Sequence, residues 1–280
     1  MSLRHLATAI LCAVLLTVTL VARSHPSRQT AARLSTPNEI KAEFTNVPCR
    51  DEDRMAAVQA LFKKLGATDA DLSIDHHKGV DNLIVRKSGT DNGTIVIGAH
   101  YDKVSAGCGA VDNWTGIVAV AHAYASLKDT PLRKTVLFVA FGKEERGLVG
   151  SRAMVNALDK EQSKHYCAMI NIDSLGLAAP QIMDNASSNK LTKLAGNLAE
   201  TIKIPFSHAI LGGADADSSS FIDHGIPAIT IHGVNPNWKS ILHTSYDQPQ
   251  RINAEDVYLG YRLALAMLAR VDAADCGAFR

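Results

Sequence analysis

The longest apolar stretch lies at the start of the chain. Arg4 and His5 precede a predominantly apolar run of 16 residues, 6–21. A spanning helix needs about 20, and Ala22-Arg23-Ser24 offers small residues for cleavage after Ser24. A signal peptide is expected over 1–24, with a retained anchor as the alternative. Residues 25–38 are polar, include Pro26 and Pro37 and show no period, as a linker would. Beyond them Met55, Val58, Leu61, Phe62 and Leu65 recur at helical spacing, predicting a helix over 50–65 closed by Gly66. Strand-like runs follow at 72–75, 82–86 and 94–100, punctuated by Gly79, Gly89 and Gly93.

From there helix and strand patterns alternate. Helices are predicted over 112–127, 147–158, 187–201 and 253–271. Between them lie three continuous apolar runs, 135–141 (TVLFVAF), 168–173 and 228–231 (AITI), which read as strands buried on both faces. This alternation predicts an α/β fold with a mostly parallel, helix-covered sheet. No repeat and no second domain boundary is visible, so 39–280 reads as one domain.

Composition narrows the class. Of 280 residues, 46% are hydrophobic and 20% charged, with a formal net charge of +1, so disordered and collagen-like chains are excluded. Without a basic block, neither nucleic acid nor an anionic membrane surface is an expected partner. Besides Cys12 in the leader, Cys49, Cys108, Cys167 and Cys276 form an even set that suits an oxidising, secreted or periplasmic location. Pairing Cys49 with Cys276, which flank the folded region, is favoured; four free thiols are the alternative. No CxxC spacing offers a thiolate zinc site.

The acids and histidines fall at strand ends. His100 closes one strand, and Asp102 lies two residues on, on the same face, where its carboxylate suits the second imidazole nitrogen. Asp112 precedes a helix and on its own reads as an N-cap. TVLFVAF empties into Glu144-Glu145, two mutually repelling carboxylates flanked by Lys143 and Arg146, which serve as counter-ions if the loop is merely solvated. Asp173 ends the next strand, and His243 sits in the loop before the last helix. In open α/β sheets ligands bind beyond the carboxyl ends of the strands. His100, Asp112, Glu145, Asp173 and His243 thus form an N/O donor set suited to zinc, and five ligands fit two metals sharing a carboxylate.

The order H-x-D, D, E-E, D, H, spread over about 82–253, resembles the co-catalytic zinc aminopeptidases of peptidase clan MH, whose fold family includes the animal-type glutaminyl cyclases. The resemblance implies a three-layer sandwich, two zinc ions per chain and a peptide substrate, with a monomer expected. It implies Asp112 as the bridging ligand, His100 and Asp173 on one zinc, and Glu145 and His243 on the other. Glu144 would be the general base and Asp102 the partner of His100, with a cis peptide after Asp112. The stretch 217–228 is similar to the family's D-H-x-x-F-x-x-x-G-I-P-A, with Ser218 in place of the histidine. Asp217 is therefore a candidate for shaping the substrate pocket, and Tyr246 for a position near the substrate.

Other residues carry weaker expectations. His232 ends a strand and is a crevice candidate; His122 reads as packed or surface, and His76, His77 and His208 as surface. Trp114 and Phe221 read as core more readily than as pocket walls. A one-zinc glutaminyl cyclase is the alternative enzyme. A binding module on a degenerate peptidase fold is disfavoured, because all five ligands and Glu144 are present.

Overall fold

The computed structural model describes residues 33–280. The signal or anchor at 1–24 and most of the linker lie outside them. Pro37 and Asn38, read as the linker's end, instead begin helix α1 (Pro37–Ala42), where Thr36 and Glu39 form a capping box.

Eight strands form one sheet: β1 (Leu72–His77), β2 (Val80–Lys87), β3 (Thr94–His100), β4 (Thr135–Phe141), β5 (Tyr166–Ile172), β6 (Gln181–Met183), β7 (Ser207–Ala209) and β8 (Ala228–His232). Their order is β1-β2-β4-β3-β5-β8-β6-β7. The centre, β4-β3-β5-β8, is parallel; β2 and β6 join it antiparallel. The continuous apolar runs are this centre: every residue of β4 and β8 is buried.

Helices cover both faces. The larger core packs α1, α2 (Asp51–Lys64), α3 (Thr115–Leu127), α6 (Asn189–Thr201) and α8 (Ala254–Ala273) against one face. On the other, Met154 and Val155 of α4 (Val149–Asn156) and Phe221 of α7 (Asp217–Asp223) pack on Val96, Val139 and Met169. Phe221 is thus core, as is His122, which faces Ser35 from α3 with Nδ1 at 2.8 Å from Oγ. His224 caps the end of α7. A short helix, α5 (Lys160–His165), and the three-residue strands β6 and β7 were not foreseen.

Two expectations change, the start of a helix and the cysteine pairing, while the cis peptide after Asp112 is as expected. The helix expected from Asp112 begins at Thr115, because residues Ala110–Trp114 form a wider turn in which Asp112 and Asn113 leave helical geometry; Asp112 is not an N-cap. The Asp112–Asn113 peptide is cis. The favoured Cys49–Cys276 pairing is wrong: the disulfides are Cys49–Cys108 and Cys167–Cys276. The reason is topological. After α8 the tail returns to the start of β5, where Cys167 sits, whereas Cys49 leads into α2 beside the loop after β3.

Two stability predictions follow from this packing. Replacing Cys167 and Cys276 by serine removes a link that closes 109 residues of chain and should cost about 2–5 kcal/mol, read as a lower denaturation midpoint. Burial also pushes the His122 imidazole down to about 4, against the raising charge of Glu43. The unfolded chain then binds more protons than the folded one between pH 6.5 and 4. Stability should fall by up to about 3 kcal/mol on acidification through that window, and the loss should shrink in His122→Met, checked by denaturant titrations at pH 7 and 4.5.

Candidate metal centre

The central strands run in parallel, so their carboxyl ends share one edge, and the candidate residues meet there. His100 is the last residue of β3, Asp173 follows β5, and Glu144 and Glu145 follow β4 in a 3-10 turn. His243 lies in the loop between β8 and α8 with a left-handed backbone, φ 61°.

Asp112 stands between two groups. Its Oδ1 lies 3.2 Å from His100 Nε2, which is 3.6 Å from Asp173 Oδ1. Its Oδ2 lies 2.9 Å from His243 Nε2, which is 3.0 Å from Glu145 Oε2. The donor atoms of His100, Asp112 and Asp173, and those of Asp112, Glu145 and His243, each lie within 4.8 Å of one another. All five ligand candidates therefore converge, and one carboxylate belongs to both groups.

Neighbouring residues hold this arrangement. The Asn113 amide donates to the Ile172 carbonyl at 2.9 Å, and its oxygen accepts the Gly116 and Ser174 amides. Gly116 is required here, since a Cβ would come within 2.4 Å of the Ile172 oxygen. Ser174 Oγ donates to Asp112 Oδ1 at 3.1 Å. Asp102 does more than face His100: its carboxylate accepts the amides of Glu144 at 2.9 Å and Glu145 at 3.3 Å. The second nitrogen of His100 faces the Asp102 carbonyl at 3.1 Å, with Oδ1 at 3.6 Å. Lys143 donates to the Gly79 carbonyl rather than pairing with a glutamate.

The electrostatics follow from burial and crowding. Burial raises Glu144 well above the usual carboxyl range; Asp173, Asp217 and Asp112 push the same way, and His100 opposes them. Burial likewise raises Glu145, against its bond to His243. Burial would depress His100, but the Glu144 charge and bonds to Asp102, Asp112 and Asp173 carry it well above the usual imidazole value. Bonds to Asp112 and Glu145 raise His243 to about 10. Asp112 is driven far below the usual range by these two imidazoles despite its burial. The donor set holds more carboxylates than imidazoles, and Glu145 Oε1 is a buried oxygen with no hydrogen-bond partner. Borderline N/O donors and excess negative charge fit divalent zinc.

A cavity of about 310 Å³ opens onto the centre, with His100, Asp112, Glu144, Glu145, Asp173 and His243 on its wall. Its apolar lining includes Met183, Leu211, Val234, Trp238 and Leu242. His232 also lines it, as the crevice expectation had it. Asp217 is buried beneath it without a hydrogen-bond partner for either oxygen, and burial raises it to about 7. Ser218, where the histidine was expected, donates to the Ala186 carbonyl at 2.8 Å. Tyr246 is exposed, with Arg251 over its ring, and does not line the cavity.

Two residues were missed. Asp247 accepts the amides of Val111 at 2.7 Å and Asp112 at 3.1 Å. Arg54, fully buried, donates to the carbonyls of Tyr101, Cys108 and Gly109 and stacks on Trp114. The only sequence signal was an acid four residues after the loop histidine. An arginine in an amphipathic helix gives none.

A helix-covered mixed sheet with imidazoles and carboxylates gathered beyond its parallel strand ends defines an α/β protein with two groups of residues able to hold divalent metal at that edge. Residues 82–267 match peptidase family M28, and the chain belongs to this family. Leucine aminopeptidase 2 of Trichophyton rubrum is 30% identical over 192 residues, which cover 64% of this chain and 39% of that protein. The chain thus spans less than half the length of the curated relatives it matches. The zinc aminopeptidase BSAP of Bacillus subtilis superimposes with a TM-score of 0.61 at 25% identity, over 71% of this chain and 52% of that one. A glutaminyl cyclase from an Acidobacteriales bacterium superimposes with a TM-score of 0.74 at 18% identity, over 90% of this chain and 99% of the other. That likeness shows the shared fold.

Proposed function

We propose that the protein is an exported aminopeptidase with two zinc ions, removing N-terminal residues from peptides. One observation carries the reading: the two oxygens of Asp112 face separate ligand groups, with Glu144 beside them. His100, Asp112 and Asp173 would hold one zinc, and Asp112, Glu145 and His243 the other. Zinc bound there supplies Lewis-acid polarisation of a peptide carbonyl and lowers the pKa of an attacking water.

The chain's own residues supply the rest. The Glu144 carboxylate takes the proton from the attacking water and returns it to the leaving amine. Asp102 fixes the turn from which Glu144 and Glu145 project by accepting both amides. Ser174 orients Asp112. Met183, Leu211, Val234, Trp238 and Leu242 take up an apolar N-terminal side chain and displace water from around the carbonyl. The two disulfides support export to an oxidising compartment. Among the described residues no helix is long and apolar enough to cross a membrane.

The overlap with nearly the whole of a glutaminyl cyclase makes cyclisation of N-terminal glutamine the competing reading. Metal content and turnover separate the two. The purified chain, equilibrated with zinc and dialysed, should hold two zincs and release free amino acid from aminoacyl-nitroanilides, with release abolished by chelator. One zinc and pyroglutamate from glutaminyl peptides would establish the cyclase instead. Glu144→Gln should keep its zinc and lose roughly a hundredfold to ten-thousandfold in kcat; undiminished turnover would remove Glu144 from this role. Asp112→Ala should fail to retain two zincs.

A further inference from the structure

The turn that follows His243 grips the loop that carries Asp112. Asp247, 1% exposed, belongs to that turn, with its amide donating to the Thr244 carbonyl at 3.2 Å. Its Oδ1 accepts the Val111 amide and its Oδ2 the Asp112 amide. Its own carbonyl accepts the Cys108 amide at 2.7 Å. Gly107 makes the contact possible: φ is +64°, and a Cβ would lie 2.3 Å from the Thr244 oxygen and 3.1 Å from that of Asp247. Arg54, from α2, holds the carbonyls of Cys108 and Gly109, both at 3.1 Å. The 107–112 loop is therefore braced by two separate segments, and one brace starts four residues from His243.

We propose that Asp247 is a positioning residue for the metal centre, setting Asp112 and His243 relative to each other. The proposal rests on the two-zinc reading above. Asp112 belongs to both ligand groups, whereas His243 belongs to one. Two ligands of the Asp112–Glu145–His243 group thus depend on the clamped segments, against one in the other group. Loosening the clamp weakens the His243 side more. The chemistry requires a carboxylate, since two backbone N–H groups converge on one side chain. Asparagine offers one acceptor oxygen and turns an NH₂ toward the second N–H. Residues that orient metal ligands from behind typically change affinity by about 10–100-fold when replaced.

The test uses the whole chain and zinc itself. Metal-free wild type, Asp247→Asn and Gly107→Ala are titrated with zinc against a competing chromophoric chelator. Far-UV circular dichroism and thermal unfolding follow the metal-free proteins alongside. Gly107→Ala wedges the same contact without changing charge, and keeps the question answerable if Asp247→Asn does not fold. The expected result is a second zinc step weakened by about 10–100-fold and a nearly unchanged first step. Saturating zinc should then restore kcat with KM unaltered. Wild-type affinities in both steps, or an earlier thermal midpoint with normal zinc binding, would make Asp247 a fold residue only and overturn the proposal. Equal weakening of both steps would overturn the asymmetry. If wild type itself takes one zinc, the two-zinc reading fails separately. The positioning role is then judged on that single step, where unchanged affinity in the variants refutes it.

Discussion

A single buried carboxylate faces two ways, and the architecture around the site keeps it so. Asp112 directs one oxygen toward His100 and the other toward His243. Neither pairing follows from the local conformation of its own segment, which leaves helical geometry at this residue and its neighbour. The orientation is imposed from outside: by Asn113 anchored to the end of β5, by Ser174 from the following loop, and by Asp247 on the backbone amides. Each group touches a different part of the molecule, so the carboxylate is located by consensus among distant segments. Distant contacts of this kind hold only in a well-packed frame.

The parallel centre of the sheet supplies that frame. Four adjacent strands with the same direction bring four chain exits to one edge, and side chains there are buried by the flanking helices. Gathering carboxylates at such an edge is unfavourable, because burial and mutual repulsion both oppose ionisation. The raised Glu144 and Glu145 and the elevated imidazoles are the visible response of the chain to that crowding. Buried Arg54 contributes a fixed positive charge behind the loop, and burial lowers it to about 10 even though Asp112, Asp51, Asp102 and Asp247 favour its charged form.

What could be read in the sequence depended on how far each signal is local. β3 and β4 occur at their expected bounds, because a continuous apolar run between glycine and charged residues has one stable placement. The five ligand candidates and Glu144 were visible for the same reason: each is an unusual polar residue at the end of such a run or in the loop next to one. The three-residue strands β6 and β7 carry no period and exist through pairing with β8 and with each other. The cysteine pairing depended on where α8 returns, which no spacing along the chain encodes. Asp102 was correctly noticed beside His100, yet its carboxylate serves the glutamate turn, a partnership set by β4 lying next to β3. Arg54 and Asp247 form their hydrogen bonds across the loop with main-chain groups of other segments, and such contacts leave no mark on composition or period.

The two imidazoles of the site differ in one respect that the symmetry of the ligand groups conceals. The His100 side chain is 1% exposed, whereas that of His243 is 53% exposed. His243 stands at the solvent, whereas His100 is reached only through the cavity whose wall both share. The two groups thus differ in depth, with Asp112, Glu145 and His243 forming an outer tier at the solvent and His100, Asp112 and Asp173 an inner one set into the wall.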